Sequence, residues 1–114
     1  MNNINNKNIL IIGLGKEGVS AANYLGNNND ITIYDDKPKS QIDPSFLKKL
    51  KFENIKFYFQ RLPDMHCDYV FRSPGVRPDH PYIKRLISSG AVLTSPIKIF
   101  FDKCLARIIG VTGT

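Results

Sequence analysis

The stretch NILIIGLGKEG, residues 8–18, joins an apolar run to a glycine-rich turn and decides the fold. Its first half is continuously apolar, which is typical of a parallel strand buried on both faces. Gly13, Gly15 and Gly18 follow with the spacing G-x-G-x-x-G. Residues 17–27 then place apolar side chains at helical spacing. The stretch therefore predicts a strand, a tight turn and a helix in direct succession.

The rest of the chain repeats this alternation of strands and helices. Further short strands are predicted at residues 31–34, 55–59, 68–71 and 91–93. Asp43 precedes Pro44 as a helix N-cap, and another helix begins around His80 and Pro81. Strands that alternate with helices form parallel, right-handed crossover units. The predicted fold is therefore an α/β, Rossmann-like open parallel sheet with helices on both faces.

The helix after His80 carries four apolar side chains on its predicted buried face, and a glycine follows it. The four are Tyr82, Ile83, Leu86 and Ile87. Gly90 is expected to end the helix in a left-handed conformation. Thr94 marks the nearest candidate for a domain boundary, because five predicted strands already complete one sheet before it. Residues 1–93 are therefore predicted to form one domain, and residues 94–114 a linker helix and the first strand of the next.

Composition and charge exclude several classes of function. The 114 residues suffice for about one domain. The net charge is +6, but the basic residues are spread along the chain without an aromatic-flanked cluster, so no nucleic-acid site is predicted. No apolar run reaches the ~18 residues of a membrane span, and no secretory signal is present, so we expect a cytoplasmic protein. Cys67 and Cys104 are expected to be reduced, and His66 beside Cys67 lacks the further ligands that a metal site requires.

Three polar stretches follow predicted strands, at the sheet edge where open α/β proteins bind ligands. They are the glycine turn with Lys16 and Glu17, the sequence Asp35, Asp36 and Lys37, and the sequence Ser73, Pro74 and Gly75. The helix after the turn offers unpaired N–H groups to a diphosphate. A strand-end carboxylate accepts hydrogen bonds from a ribose hydroxyl or from the N–H of a base. For each stretch, the alternative is an ordinary turn that binds nothing.

The last residues, GVTGT at 110–114, follow a predicted strand that begins at Arg107. Thr112, Gly113 and Thr114 have the pattern of the first half of a phosphate loop. The Gly-Lys-Ser/Thr sequence that would complete such a loop does not follow within the chain. The pattern by itself indicates only a strand that leads into a turn.

Four of these motifs, in this order and over essentially the whole chain, resemble the ATP-dependent Mur ligases of peptidoglycan synthesis. The shared sequences are IIGLGKEGVS (11–20), YDDK (34–37), RSPGV (72–76) and IIGVTGT (108–114). A His-Pro pair at 80–81 is shared as well. The resemblance is strongest to the member of the family that adds D-glutamate to UDP-N-acetylmuramoyl-L-alanine.

The resemblance implies a role for each part of the chain. Residues 1–93 would bind the UDP-sugar substrate, and residues 94–114 would lead into an ATP-binding domain. Substrate contacts would come from Gly13, Gly15, Lys16, Glu17, Gly18, Asp35, Asp36, Lys37, Ser73, Pro74 and Gly75. The whole ligase would use ATP and Mg²⁺ to join D-glutamate to the substrate. This chain is expected to be its N-terminal piece, which binds substrate but carries no catalytic residue and no metal ligand.

Three other interpretations stay open at the level of sequence. A stand-alone NAD-binding Rossmann domain with a regulatory role would share the glycine turn and Asp35. A non-enzymatic scaffold would keep the fold without a ligand, and a sibling Mur ligase that adds L-alanine would also have a glycine-rich first turn. The NAD-binding domain would not explain residues 73–75 followed by residues 111–114, and the sibling ligase usually lacks the Ser-Pro-Gly sequence after the fourth strand.

Overall fold

The computed structural model describes residues 5–73 and 79–94, which form a parallel sheet with helices on both faces. The strands are β1 (Asn8–Ile12), β2 (Asp30–Asp35), β3 (Lys56–Phe59), β4 (Tyr69–Arg72) and β5 (Val92–Thr94). The helices are α1 (Lys16–Leu25), α2 (Pro44–Lys48) and α3 (Pro81–Ser88), with a 3₁₀ turn at Lys39–Gln41. The strand order is β3-β2-β1-β4-β5, and every pairing is parallel. The predicted α/β sheet is confirmed.

The position of β1 in the middle of the sheet explains why its sequence does not alternate between apolar and polar residues. Ile9 and Ile11 pack on one face of the sheet, in a cluster that includes side chains of α1 and α2. Leu10 and Ile12 pack on the opposite face, with side chains of α3. Successive strand residues point to opposite faces, so a strand covered on both sides must be apolar throughout. The strand therefore sits in the middle of two core layers.

Helix α1 begins and ends close to its predicted bounds. It buries Val19, Ala22 and Leu25 against the sheet, as their spacing predicts. The helix ends at Leu25 and not at residue 27, and Gly26 is its C-cap, with its N–H donating to the Ala22 carbonyl at 2.8 Å. Asn28 then adopts a left-handed conformation with φ +71°, which turns the chain towards β2.

The N-caps of α2 and α3 lie where the prolines predict them. Asp43 accepts a hydrogen bond from the Ser45 N–H at 2.9 Å, and this bond lowers the pKa of Asp43. His80 Nδ1 accepts one from the Tyr82 N–H at 3.2 Å. Both side chains satisfy an N–H group that a helix start would otherwise leave unpaired. The two predicted helix starts are therefore confirmed.

The buried face of α3 is narrower than predicted. Tyr82, Ile83 and Leu86 are buried, but Ile87 is 41% exposed. Ile87 follows Leu86 by about 100° around the helix axis, which carries it past the part of the sheet that α3 covers. The prediction that Ile87 is buried was therefore wrong. Gly90, with φ +108°, ends the helix as predicted.

Some predictions fall outside residues 5–73 and 79–94. These are the last helix from Ser95, the final strand from Arg107 and the state of Cys104. The predicted boundary at residue 94 therefore stays a prediction. Cys67 is a free thiol and half-buried. Within the described ranges, no helix is both long and apolar enough to cross a membrane.

Candidate functional site

The carboxyl ends of β1, β2 and β4 lie side by side and bring the predicted site residues together. Ile12 pairs with Tyr34 on one side and with Arg72 on the other. The residues that follow these three therefore leave the sheet at one edge. The strand order also reverses between β1 and β4, which is where open α/β sheets bind ligands. We call the turn at residues 13–18, the turn at residues 35–37 and Ser73 the strand-end site.

The three glycines of the first turn differ in how much space a side chain would have there. Gly13 has φ +105°, and a Cβ there would overlap the Ser73 hydroxyl. A Cβ on Gly18 would overlap the carbonyl oxygen of Gly13, closer than the 3.0 Å that real Cβ atoms keep. A Cβ on Gly15 would meet nothing within 4 Å. The fold therefore requires Gly13 and Gly18, whereas Gly15 leaves bare backbone on the open side of the turn.

The start of α1 presents backbone N–H donors on the open side of the glycine turn. Gly15 is the N-cap and has no side chain to bond to the first turn. No residue in the described part of the chain accepts a hydrogen bond from the N–H groups of Lys16, Glu17 or Gly18. These groups and the helix dipole favour an anion at this position. The exposed side chain of Lys16 adds a positive charge, and that of Glu17 a negative one.

Asp35 joins two parts of the site through its carboxylate. Its Oδ2 accepts a hydrogen bond from the Leu14 N–H at 2.8 Å, and its Oδ1 accepts one from the Lys37 N–H at 2.9 Å. The first bond holds the glycine turn against the end of β2, and the second closes the turn after β2. Sequence reasoning missed this bracing role. The predicted contact of Asp35 with a ribose or a base stays a prediction.

Tyr34 is a site residue that sequence reasoning missed altogether. Its hydroxyl donates to Asp36 Oδ1 at 2.5 Å. Burial, followed by the hydrogen bond to Asp36, raises the pKa of Tyr34 to about 12, so the hydroxyl keeps its proton at neutral pH. A signal was present, because residues i and i+2 of an extended chain share a face. Tyr34 and Asp36 have that spacing at the end of β2.

Ser73 completes the described part of the site. Its N–H donates to the Ile12 carbonyl at 3.0 Å, and its hydroxyl lies 3.4 Å from the Gly13 carbonyl oxygen. The exposed side chain of Lys37 follows β2, which lies on the other side of β1 from β4. The other predicted site residues, Pro74, Gly75, Thr112, Gly113 and Thr114, lie outside the described residues. Within those residues, no group of three or more His, Cys, Asp or Glu side chains is placed to hold a metal ion.

The chain matches one known protein family over most of its length. The profile described as "Mur ligase MurD-like, N-terminal domain" matches residues 7–95. The chain belongs to this family. The match includes every described residue of the strand-end site.

Individual relatives agree with the family assignment. The chain is 31% identical to a UDP-N-acetylmuramoylalanine–D-glutamate ligase of Ruminiclostridium cellulolyticum, over 97% of this chain and 24% of the relative. It is 33% identical to the enzyme of the same name from Streptococcus pyogenes serotype M5, over 100% of this chain and 26% of the relative. The chain thus spans about a quarter of the length of the curated relatives it matches.

A search of solved structures also gives a partial match. A 3-hydroxyacyl-CoA dehydrogenase of Archaeoglobus fulgidus matches 78% of this chain and 33% of its own, with a TM-score of 0.49 and 22% identity. Similarity at that level has no bearing on function.

Proposed function

We propose that the strand-end site binds the UDP portion of UDP-N-acetylmuramoyl-L-alanine, and that the chain serves a ligase that adds D-glutamate to that substrate. One observation carries the proposal: the bare backbone of Gly15 adjoins N–H groups of α1 that donate to no residue in the described part of the chain, and the chain belongs to the MurD-like family. A Cβ-free residue with open space around it suits the close approach of a diphosphate. The fold itself does not require a glycine there.

The two ends of the site suit the two ends of a nucleotide diphosphate. The N–H groups of α1 and the Lys16 ammonium would bind the phosphates. Asp36, at the end of β2, would accept a hydrogen bond from the base or the ribose, and Lys37 would add a positive charge. Ser73 supplies a hydroxyl beside the glycine turn. We propose that Pro74 and Gly75 also contact the substrate, as the family resemblance implies.

The rest of the proposed reaction belongs to the whole ligase. The alanine carboxylate of the substrate would take the γ-phosphoryl group of ATP, and the amine of D-glutamate would attack the resulting acyl phosphate and release phosphate. Residues 94–114, with Thr112, Gly113 and Thr114, would lead into the part that binds ATP. Magnesium would offset negative charge at the transferring phosphoryl group. No described side chain is assigned to it, and we expect the 114-residue chain alone to hydrolyse no ATP.

Calorimetric titration of the chain with UDP-N-acetylmuramoyl-L-alanine, UDP and NAD tests the proposal. We expect the two uridine ligands to bind more tightly than NAD. Tighter binding of NAD would overturn the proposal in favour of a stand-alone NAD-binding domain. Absence of binding by all three ligands would favour a scaffold without a ligand.

Two lysine variants locate the site. Lys16→Ala removes a charge beside the first turn of α1 and is expected to weaken UDP binding about threefold to tenfold. Lys56→Ala is the matched control, because Lys56 is exposed at the amino end of β3, on the opposite edge of the sheet. Equal effects of the two substitutions would contradict the proposed position of the diphosphate.

A further inference from the structure

We infer that Tyr34 is a positioning residue of the nucleotide site, which acts by holding the carboxylate of Asp36 in the orientation that accepts a hydrogen bond from the ligand. The inference rests on the proposed function. It adds to that function a residue from inside the core, behind the residues that face the ligand.

The Tyr34 hydroxyl is held in a fixed place. Its ring belongs to the core layer between the sheet and α3, beside Ile12 and Tyr82, and only 6% of the residue is exposed. A ring buried in this way has a single position. The hydroxyl emerges at the carboxyl end of β2 and donates to Asp36 Oδ1 at 2.5 Å. The core therefore fixes the donor, and the donor fixes the exposed carboxylate.

The backbone at Asp36 is held from its other side. Asp35 Oδ1 accepts the Lys37 N–H at 2.9 Å, which closes a turn around Asp36. Asp35 Oδ2 in turn holds the glycine turn through the Leu14 N–H. Asp36 is thus fixed through its main chain and through one carboxylate oxygen. Its second oxygen, Oδ2, accepts no hydrogen bond from the residues at 5–73 and 79–94.

The Oδ2 atom of Asp36 favours one class of ligand group. A carboxylate accepts hydrogen bonds and repels anions, so it suits the N–H of a base or a ribose hydroxyl and not a phosphate. The phosphates would then lie at the first turn of α1, where the N–H groups are. The Tyr34–Asp36 pair therefore fixes the direction in which a nucleotide diphosphate lies along the sheet edge. Without the Tyr34 hydroxyl, the exposed carboxylate would sample several rotamers and would lose entropy when a ligand fixed one of them.

A double-mutant cycle with UDP as the titrant tests the role. Tyr34→Phe keeps the buried ring and removes the hydroxyl, and we expect it to weaken UDP binding about threefold to tenfold. Asp36→Ala should weaken binding by at least as much. In the Asp36→Ala background, Tyr34→Phe should have no further effect, because its hydroxyl acts only through that carboxylate.

Tyr58→Phe is the matched control. Tyr58 lies directly opposite Tyr34 in the register of β2 and β3, and it packs against the same core layer. Its hydroxyl makes no hydrogen bond with any described residue. We expect UDP binding within about twofold of the wild-type value for this variant, since a solvated hydroxyl contributes little.

Each outcome decides between the inference and the function on which it rests. If the wild-type chain binds no UDP, the proposed function fails and the inference falls with it. If the wild type binds UDP but Tyr34→Phe binds it equally well, the inference alone fails. Independent effects of Tyr34→Phe and Asp36→Ala would also overturn it, because Tyr34 would then act by another route, such as general loosening of the core.

Discussion

Replacing Gly18 with alanine is expected to destabilise the chain, although alanine is the better helix former. The added Cβ would overlap the carbonyl oxygen of Gly13 and lie 3.4 Å from the Ile11 side chain. The first obstacle is backbone, which cannot rotate away as a flexible side chain can. The start of α1 must therefore move away from the glycine turn.

The magnitude follows from two opposing effects. Overpacking against a rigid neighbour costs about 1–3 kcal/mol of unfolding free energy. Replacing glycine by alanine within a helix returns roughly 0.5–1 kcal/mol. The net loss is about 1.5 kcal/mol, because the steric effect is the larger. With an m-value of roughly 1.5 kcal/mol per molar urea, the unfolding midpoint falls by about 1 M.

Urea unfolding followed by far-ultraviolet circular dichroism measures this shift, since the chain has no tryptophan. Gly15→Ala is the control on the same turn. Gly15 has φ −133° and open space around a Cβ. Alanine is a poorer N-cap but restricts the unfolded chain, so we expect a change within about 0.5 kcal/mol. Under the proposed function, Gly15→Ala should nevertheless weaken UDP binding.

Two results would refute this reasoning. The first is an unchanged unfolding midpoint for Gly18→Ala, which would mean that the start of α1 moves away from the turn without cost. The second is an equal loss of stability for Gly15→Ala and Gly18→Ala. The close packing of the helix against the strand would then not be what distinguishes the two glycines.

Other parts of the structure lead to further expectations. Asp35→Ala should lower the unfolding free energy by about 1–3 kcal/mol in urea titrations, because two N–H groups lose their acceptor; an unchanged midpoint would contradict the bracing role. In a Cys104→Ser background, Cys67 should react with iodoacetamide at pH 8 about a hundredfold more slowly than free cysteine. The reason is that burial, with a smaller effect of the nearby Asp68, raises the pKa of Cys67 from 9.0 to about 11. The rate should therefore rise as the pH increases towards 11, and a plateau near pH 9 would argue against this. Ile83→Ala should cost about 2–5 kcal/mol and Ile87→Ala no more than about 0.5 kcal/mol, since only Ile83 is buried; equal losses would be inconsistent with the exposed position of Ile87.

The sequence sufficed for most of the fold because the relevant signals are local. Each observed strand begins and ends within one residue of its predicted bounds. Asp43 with Pro44, and His80 with Pro81, mark helix starts through chemistry contained in two or three neighbouring residues. Ile87 is different, because its burial depends on how far the sheet extends beneath α3. The helical spacing of apolar residues does not reveal how far the sheet extends.

The site was only partly predictable for a related reason. The glycine spacing pointed to the turn, and the strand ends pointed to residues 35–37. The bond from Asp35 to the Leu14 N–H spans 21 residues and exists only because β1 and β2 pair in one particular register. Nothing in either segment alone indicates it. The contact between Tyr34 and Asp36 could have been predicted from the sequence, since their spacing of two residues puts them on one face.

The two hydrogen bonds of the Asp35 carboxylate have a consequence for the kinetics of binding. The bond from the Leu14 N–H ties the glycine turn to the end of β2, and the bond from the Lys37 N–H closes the turn that follows β2. Under the proposed function, a nucleotide would therefore meet a preorganised surface. Little conformational entropy is then lost on association. Binding without loop rearrangement should be a single step, whose observed rate rises linearly with ligand concentration in stopped-flow experiments. Loosening this tie would convert the same encounter into induced fit, with a rate that saturates at high concentration.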